Sequence, residues 1–250
     1  MSKIVLITGA TSGIGKATSI KLAQAGHKII ACGRRQDRLM ELVKQFDETT
    51  ILPLCFNISK QADVLQAINS IPEQFKPIDV LINNAGNAHG LDFVDEASVD
   101  DWEAMIDINV KGLLYVSKPI MQDMAARKDG HIINIGSIAG IEVYPKGHVY
   151  CASKHAVDAI SKGMRIDLNR HGVKVSEIKP GLVETEFSDI RFKGDKLRAK
   201  QVYDGCEALQ AEDIAELILF MINCPKRVNL ADVLVLPLAQ ASITVIKRDE

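Results

Sequence analysis

Ile4-Val5-Leu6-Ile7-Thr8-Gly9-Ala10-Thr11-Ser12-Gly13-Ile14-Gly15 opens with an apolar run, passes through a glycine-rich bend and enters a segment of helical period. The run suits a strand buried on both faces, and the segment that follows suits a helix packed against it. Glycines let the backbone turn tightly and approach a ligand, and the unpaired N–H groups at a helix N-terminus attract phosphate. The spacing is G-x-x-x-G-x-G, distinct from the commoner G-x-G-x-x-G fingerprint. Taken alone, such a bend is often merely structural. At the first βα junction of a doubly wound chain it is the expected place for a nucleotide.

Working outward, six further apolar runs, at 28–32, 50–55, 79–83, 131–135, 174–178 and 233–236, alternate with helical segments. The helices are expected at 14–25, 37–46, 62–69, 99–127, 149–170 and 211–223. This alternation predicts βαβ units, and the continuously apolar strands predict a parallel sheet covered on both faces. The fold class is therefore α/β, with a doubly wound seven-stranded parallel sheet in a single domain over residues 1–250. One stretch breaks the rhythm. Residues 184–207 carry Gly194, Gly205 and many charges with little periodicity, which suggests a functional loop.

Composition narrows the partners. Thirty basic against 32 acidic residues leave a net charge of −2, so no global cationic field serves nucleic acid or an anionic membrane. No apolar run reaches membrane-spanning length, and the N-terminus has no signal-peptide pattern, so a cytoplasmic protein is expected. The five cysteines are odd in number and widely spaced, as in a reducing compartment. His27, His89, His131, His148, His155 and His171 lack metal-ligand spacing, and no metal is expected. Cys151 reads as small packing, not as a nucleophile.

Two local patterns carry chemistry. At the end of the second strand, Cys32-Gly33-Arg34-Arg35 offers guanidinium groups where an NAD site usually places an acid on the ribose hydroxyls. Arg34 and Arg35 suit a 2′-phosphate, so the expected cofactor is NADP; the competing reading makes them solvated residues at the start of a surface helix. Downstream, Ser137 follows a strand, and Tyr150-Cys151-Ala152-Ser153-Lys154 opens a long helix. The i, i+4 spacing puts Tyr150 and Lys154 on one face, where an ammonium would favour the phenolate of a tyrosine acid/base. Ser137 is placed to bond the oxygen of a carbonyl or alcohol.

In order along residues 4–238, the glycine turn, Asn83-Asn84-Ala85-Gly86, Asn109, Ser137, Tyr150-x-x-x-Lys154 and Pro180-Gly181 together resemble the short-chain dehydrogenase/reductase family. The resemblance implies a Rossmann fold and an oxidoreductase with Tyr150 as general acid/base. It implies Lys154 on the nicotinamide ribose, Ser137 orienting substrate, and Asn109 holding a water that links Lys154 to solvent. It assigns cofactor contacts to Gly9, Thr11, Ser12, Gly13, Ile14 and Gly15, to Asn57, Ile58, Asn84, Ala85 and Gly86, and to Pro180, Gly181, Val183 and Thr185. Asn57 stands where the family usually has Asp. Homotetramers are common in the family, with helices 99–127 and 149–170 at one interface and the C-terminus at another.

Within the family, Gly33-Arg34-Arg35-Gln36-Asp37-Arg38-Leu39, Ser98-Val99-Asp100-Asp101-Trp102-Glu103 and Glu186-Phe187-Ser188-x-x-Arg191-Phe192-Lys193-Gly194-Asp195 resemble NADP-dependent 3-hydroxy acid dehydrogenases. That similarity implies small 3-hydroxy acids of the serine and allo-threonine kind, oxidised at the 3-hydroxyl. Such a substrate carries a carboxylate, which Arg191 or Lys193 would meet if 184–207 closes as a lid. Two alternatives stay open: a general carbonyl or 3-oxoacyl reductase of the same family, and a non-catalytic NADPH-binding protein. The C-terminal stretch at 229–238 lacks the T-G-…-D-G-G ending usual in 3-oxoacyl reductases.

Overall fold

The computed structural model describes residues 2–249. Its seven parallel strands are β1 (Ile4–Thr8), β2 (Lys28–Gly33), β3 (Ile51–Cys55), β4 (Val80–Asn83), β5 (His131–Ile135), β6 (Lys174–Pro180) and, at the far edge, β9 (Asp232–Val235). They lie in the order β3-β2-β1-β4-β5-β6-β9, so the chain reverses direction across the sheet between β1 and β4. All seven strands of this sheet were expected, with ends within two residues of those observed.

Burial on both faces explains why these runs are apolar without alternation. On β1, Leu6 packs with Ile30, Leu81, Ile132 and Val175 toward α3 (Gln61–Asn69), α5 (Leu113–Arg127) and α6 (His148–Asn169). Its neighbours Val5 and Ile7 point the other way, toward α1 (Gly13–Gln24), α2 (Gln36–Lys44) and α9 (Ala211–Asn223). The period-two rule of a strand holds; both faces simply meet helices.

Two expectations are corrected. The single helix expected over 99–127 is α4 (Val99–Ile106), a wide π-helical stretch Asp107–Gly112, and α5. Inserted π-turns shift side chains without ending a helix, so sequence periodicity does not register them. Residues 184–207 are not a plain loop. Val183–Glu184 (β7) pairs with Leu209–Gln210 (β8), and α7 (Phe187–Arg191) and α8 (Lys196–Gln201) lie between them. Such short pieces show too few turns for a period to be read.

Across the sheet runs a polar row in register, buried at Asn83, Asn134 and Glu177 and reaching the surface at the edge strand: Asn83 beside Asn134, Asn134 beside Glu177, Glu177 beside the exposed Asp232. Asn83 donates to Asn134 (2.9 Å) and to Ser117 Oγ (2.8 Å), and Asn134 donates to Ser161 Oγ on α6 (2.9 Å). These bonds tie β4 and β5 to the helices that carry the site, and they satisfy groups whose burial unpaired would be costly. At the opposite end of the sheet, His131 Nε2 lies 2.8 Å from Ser176 Oγ, and burial lowers the His131 pKa to about 3.

That shift has a sign. The unfolded chain protonates His131 near pH 6.5 while the folded chain does not until about 3, so stability present above 6.5 is lost as the pH falls toward 3. Replacing His131 with Gln is expected to flatten this acid slope by at most about 1.4 kcal/mol per pH unit below 6.5. Urea melts of both proteins at pH 7 and 4.5 check it; equal slopes would count against the assignment.

Candidate active site

At the crossing between β1 and β4 the strand ends open into a cleft of about 1100 Å³. Its first wall is the glycine turn. Gly9 takes φ of +69°, a region side chains disfavour, and a Cβ on Gly15 would lie 2.3 Å from the Gly9 carbonyl and 2.4 Å from Asn84 Nδ2. Gly15 is thus buried behind the turn as a packing residue, while Gly9, Thr11, Ser12, Gly13 and Ile14 line the cleft. Ser12 precedes α1 without a side-chain cap, so the helix N-terminus keeps donors for an anion.

Asn84 locks this wall to the next strand. Its Nδ2 donates to the carbonyls of Thr8 (2.9 Å) and Gly9 (3.3 Å), while Thr8 Oγ1 accepts from the amides of Asn84 (3.1 Å) and Ala85 (3.0 Å). Gly86 follows, and a Cβ there would sit 3.3 Å from Asn109 Oδ1 and 3.6 Å from Lys154 Nζ. Asn57 and Ile58 line the far side; Asn57 Oδ1 accepts from the amide (3.1 Å) and hydroxyl (3.0 Å) of Ser59, and Ile58 packs on Gly112.

The two arginines separate. Arg34 is exposed at the rim, whereas the Arg35 guanidinium turns inward to Thr11 Oγ1 (3.0 and 3.2 Å) and Ser12 Oγ (2.8 Å). Arg38, which the sequence reading passed over, joins it. Both meet the Glu186 carboxylate, Arg35 at 3.2 Å and Arg38 at 2.7 Å. The i, i+3 spacing of Arg35 and Arg38 on one helix face was the available signal.

Ser137 leaves β5 in extended backbone, and its Oγ caps a short turn by accepting from Ala139 N (3.1 Å) while also bonding the Tyr150 hydroxyl. Burial raises the Tyr150 phenol well above its ordinary value; the Ser137 bond and the Arg191 charge pull the other way. Lys154 does not dominate here. Its Nζ lies 6.0 Å from the Tyr150 ring and donates to the Ile135 carbonyl (3.0 Å). Burial lowers the Lys154 pKa to about 8, against the opposing charge of Glu177.

Asn109 stands behind the cleft in the π-helical stretch. Its Oδ1 accepts from Asn87 N (2.8 Å), and its Nδ2 donates to Asn87 O (2.8 Å) and Ser153 Oγ (3.0 Å). It therefore fixes the loop after Gly86 to α6, one residue from Lys154.

The irregular segment forms the outer wall. Pro180, Gly181, Val183 and Thr185 line the cleft, and Thr185 approaches Gly13 closely enough that a Cβ there would meet it at 3.2 Å. Phe187 packs on the Tyr150 ring (5.7 Å between centroids). The Arg191 guanidinium lies 5.7 Å from the Tyr150 ring and 5.4 Å from that of Tyr144, with Nε donating to the Gly90 carbonyl (3.2 Å). Lys193, the other cation considered for a substrate carboxylate, instead pairs with Asp101 at 2.9 Å and is absent from the lining.

The sequence reading also missed the C-terminal wall. Gln240 Oε1 accepts from Leu182 N (2.9 Å), Ile243 and Thr244 line the cleft, and Asp249 N donates to Gly205 O (2.8 Å). Away from the cleft, Lys179 Nζ is held by Asp232 (2.6 Å), Asp158 (2.8 Å) and Glu177 (3.4 Å).

The sequence profile of the short chain dehydrogenase family matches residues 3–195. The NADP-dependent 3-hydroxy acid dehydrogenase of Salmonella typhi is 44% identical over 239 residues, covering 95% of this chain and 96% of its own. That of Schizosaccharomyces pombe is 40% identical over 252 residues, covering 99% and 97%. Among solved structures, the closed form of serine dehydrogenase complexed with NADP+ superposes with a TM-score of 0.94 at 40% identity, covering 98% of this chain and 99% of that one. With this cleft, this strand order and these relatives, the chain belongs to the short chain dehydrogenase family.

Proposed function

We propose that the protein is an NADP-dependent dehydrogenase that oxidises the 3-hydroxyl of small 3-hydroxy acids or reduces the matching carbonyl. The observation that carries this reading is the Arg191 guanidinium, 5.7 Å from the Tyr150 ring, which sets a cation for a carboxylate beside a proton donor for the neighbouring oxygen. A neutral alcohol would leave that cation unused. The similarity to hydroxy acid dehydrogenases over nearly the whole chain supports the same substrate class.

The residues present suit the cofactor: an uncapped helix N-terminus behind a glycine turn, hydroxyls on Thr11 and Ser12, and guanidinium groups beside them. Gly9, Gly13 and Ile14 would hold its diphosphate side, Arg34 and Arg35 a 2′-phosphate, and Asn57, Ile58, Asn84, Ala85 and Gly86 the adenosine side. Pro180, Gly181, Val183 and Thr185 would face the nicotinamide. When bound, the nicotinamide accepts or supplies the hydride.

The chain itself manages a proton and an alignment. A phenol raised by burial keeps its proton at neutral pH, so Tyr150 has a proton to give to a developing alkoxide, whose oxygen is the stronger base. In the oxidative direction it must lose that proton, and the Ser137 bond and the Arg191 charge favour the phenolate. Ser137 bonds the same substrate oxygen, and Asn109 holds the loop against the helix that carries Lys154. We further infer a cytoplasmic homotetramer. No helix among the described residues is long and apolar enough to cross a membrane. Val99 on α4, Leu114 on α5 and Ile166 on α6 are exposed large apolar residues on the helices expected at one interface.

Following NADPH formation with L-serine, L-allo-threonine, D-threonine, 3-hydroxypropionate and a neutral alcohol, and repeating with NAD, tests the substrate and cofactor classes together. Preference for the neutral alcohol would favour the general carbonyl reductase. Tyr150→Phe is expected to lower kcat by about 10²- to 10⁴-fold, the range of a lost general acid/base, while NADPH still binds. Normal turnover in that variant would refute the role given to Tyr150. Arg191→Ala is expected to raise KM for 3-hydroxy acids by about 10-fold or more, the worth of a charge-assisted bond, and to leave neutral alcohols little changed. Equal effects on both classes would remove Arg191 from substrate recognition.

A further inference from the structure

Glu186 is an acidic residue in the wrong place for an anion site. It begins the lid at the N-terminus of α7, and both of its oxygens point into the arginine pair: Oε2 lies 3.2 Å from Arg35 and 2.8 Å from Arg38, and Oε1 lies 2.7 Å from Arg38. The same Arg35 guanidinium faces Thr11 and Ser12 of the glycine turn. We propose that Glu186 is an internal competitor at the cofactor site, whose carboxylate holds the guanidinium groups that a cofactor 2′-phosphate requires and so tempers the affinity for it. The inference rests on the NADP reading of this cleft.

Charge and exposure support it. Two guanidinium groups against one carboxylate leave a surplus positive charge, which draws in an anion. A phosphate monoester carries about −1.5 to −2 at neutral pH and presents three acceptor oxygens, so it outbids a single carboxylate for the same donors. Two anions crowded on one pair repel, and the carboxylate must yield. The side chains are 36% and 44% exposed, so water can take over the Glu186 carboxylate as it leaves. A cofactor without the phosphate gains nothing from displacing it. Because Phe187, the next residue, packs on the Tyr150 ring, the exchange happens one residue from the lid's contact with the proton donor.

The test is equilibrium binding without turnover. NADPH and NADH are titrated by nucleotide fluorescence, and 2′,5′-ADP by calorimetry, into wild type, Glu186→Gln, Glu186→Ala and Arg35→Ala. Both Glu186 variants are expected to lower Kd for NADPH and 2′,5′-ADP by about three- to tenfold, the scale of one or two half-exposed ion pairs released. NADH should change by less than about twofold by the same argument. Unchanged or weaker NADPH binding, or an equal gain for NADH, overturns the proposal. Arg35→Ala separates the two levels of inference. If it does not weaken NADPH, the phosphate-site reading fails and the proposal with it; if it weakens NADPH while the Glu186 variants stay flat, only the proposal falls.

Discussion

The site depends on how two diverging strand ends are held together. At the crossing from β1 to β4 the chain sends one connection to each face of the sheet, so the backbone beyond Thr8 and Asn83 loses its sheet partners. Buried peptide groups without partners are costly. Thr8 Oγ1 and the Asn84 amide supply the missing bonds, lacing the glycine turn to the Asn84-Ala85 backbone. Gly15 makes that closeness sterically possible, since any side chain there would strike both partners. The crevice stays open because its two rims are bonded to each other and not across it.

Below the crevice the same logic runs through charge. The row Asn83, Asn134, Glu177 and Asp232 puts polar side chains at the same level of four neighbouring strands, facing α5 and α6. Burial raises the Glu177 carboxyl to about 7, partly offset by Lys179. Burial works against the Lys179 ammonium as well, yet Asp158 and Asp232 raise its pKa overall. Lys154 stands at the head of this arrangement, with Glu177 the opposite charge that sustains it. Buried ionic groups add little net stability, because desolvation cancels much of the attraction. What they supply here is a fixed electrostatic setting under a helix that presents Tyr150 and Lys154 to the cleft.

The outer wall is built differently. The short elements β7, α7, α8 and β8 bury few apolar residues, and the C-terminal segment ties this wall down through Gln240, which accepts from Leu182 N, and through the bond from Asp249 N to the Gly205 carbonyl. Segments with few buried contacts sit at the low-stability end of a fold and are the ones free to move. Arg191, beside the Tyr150 ring, and Glu186, the partner of the α2 arginines, both stand on this part of the chain.

Sequence alone determined the sheet and its strand ends and put Tyr150 and Lys154 on one helix face, because each is a local property. Apolar runs buried on both faces cannot be polar, a tight turn at a helix start needs glycine, and Tyr150 and Lys154 share a face by helical spacing. The π-turn that aims Asn109 at Asn87 is a shift within an unbroken helical pattern, invisible to periodicity. The partners of Arg35 and Arg38 come from residues about 150 positions away, the cleft's last wall comes from the C-terminus, and Lys193 finds Asp101 instead of the cleft. These contacts are long-range. Only the packed chain decides which charge each arginine meets, and whether burial or a neighbouring charge sets the proton affinity of Tyr150.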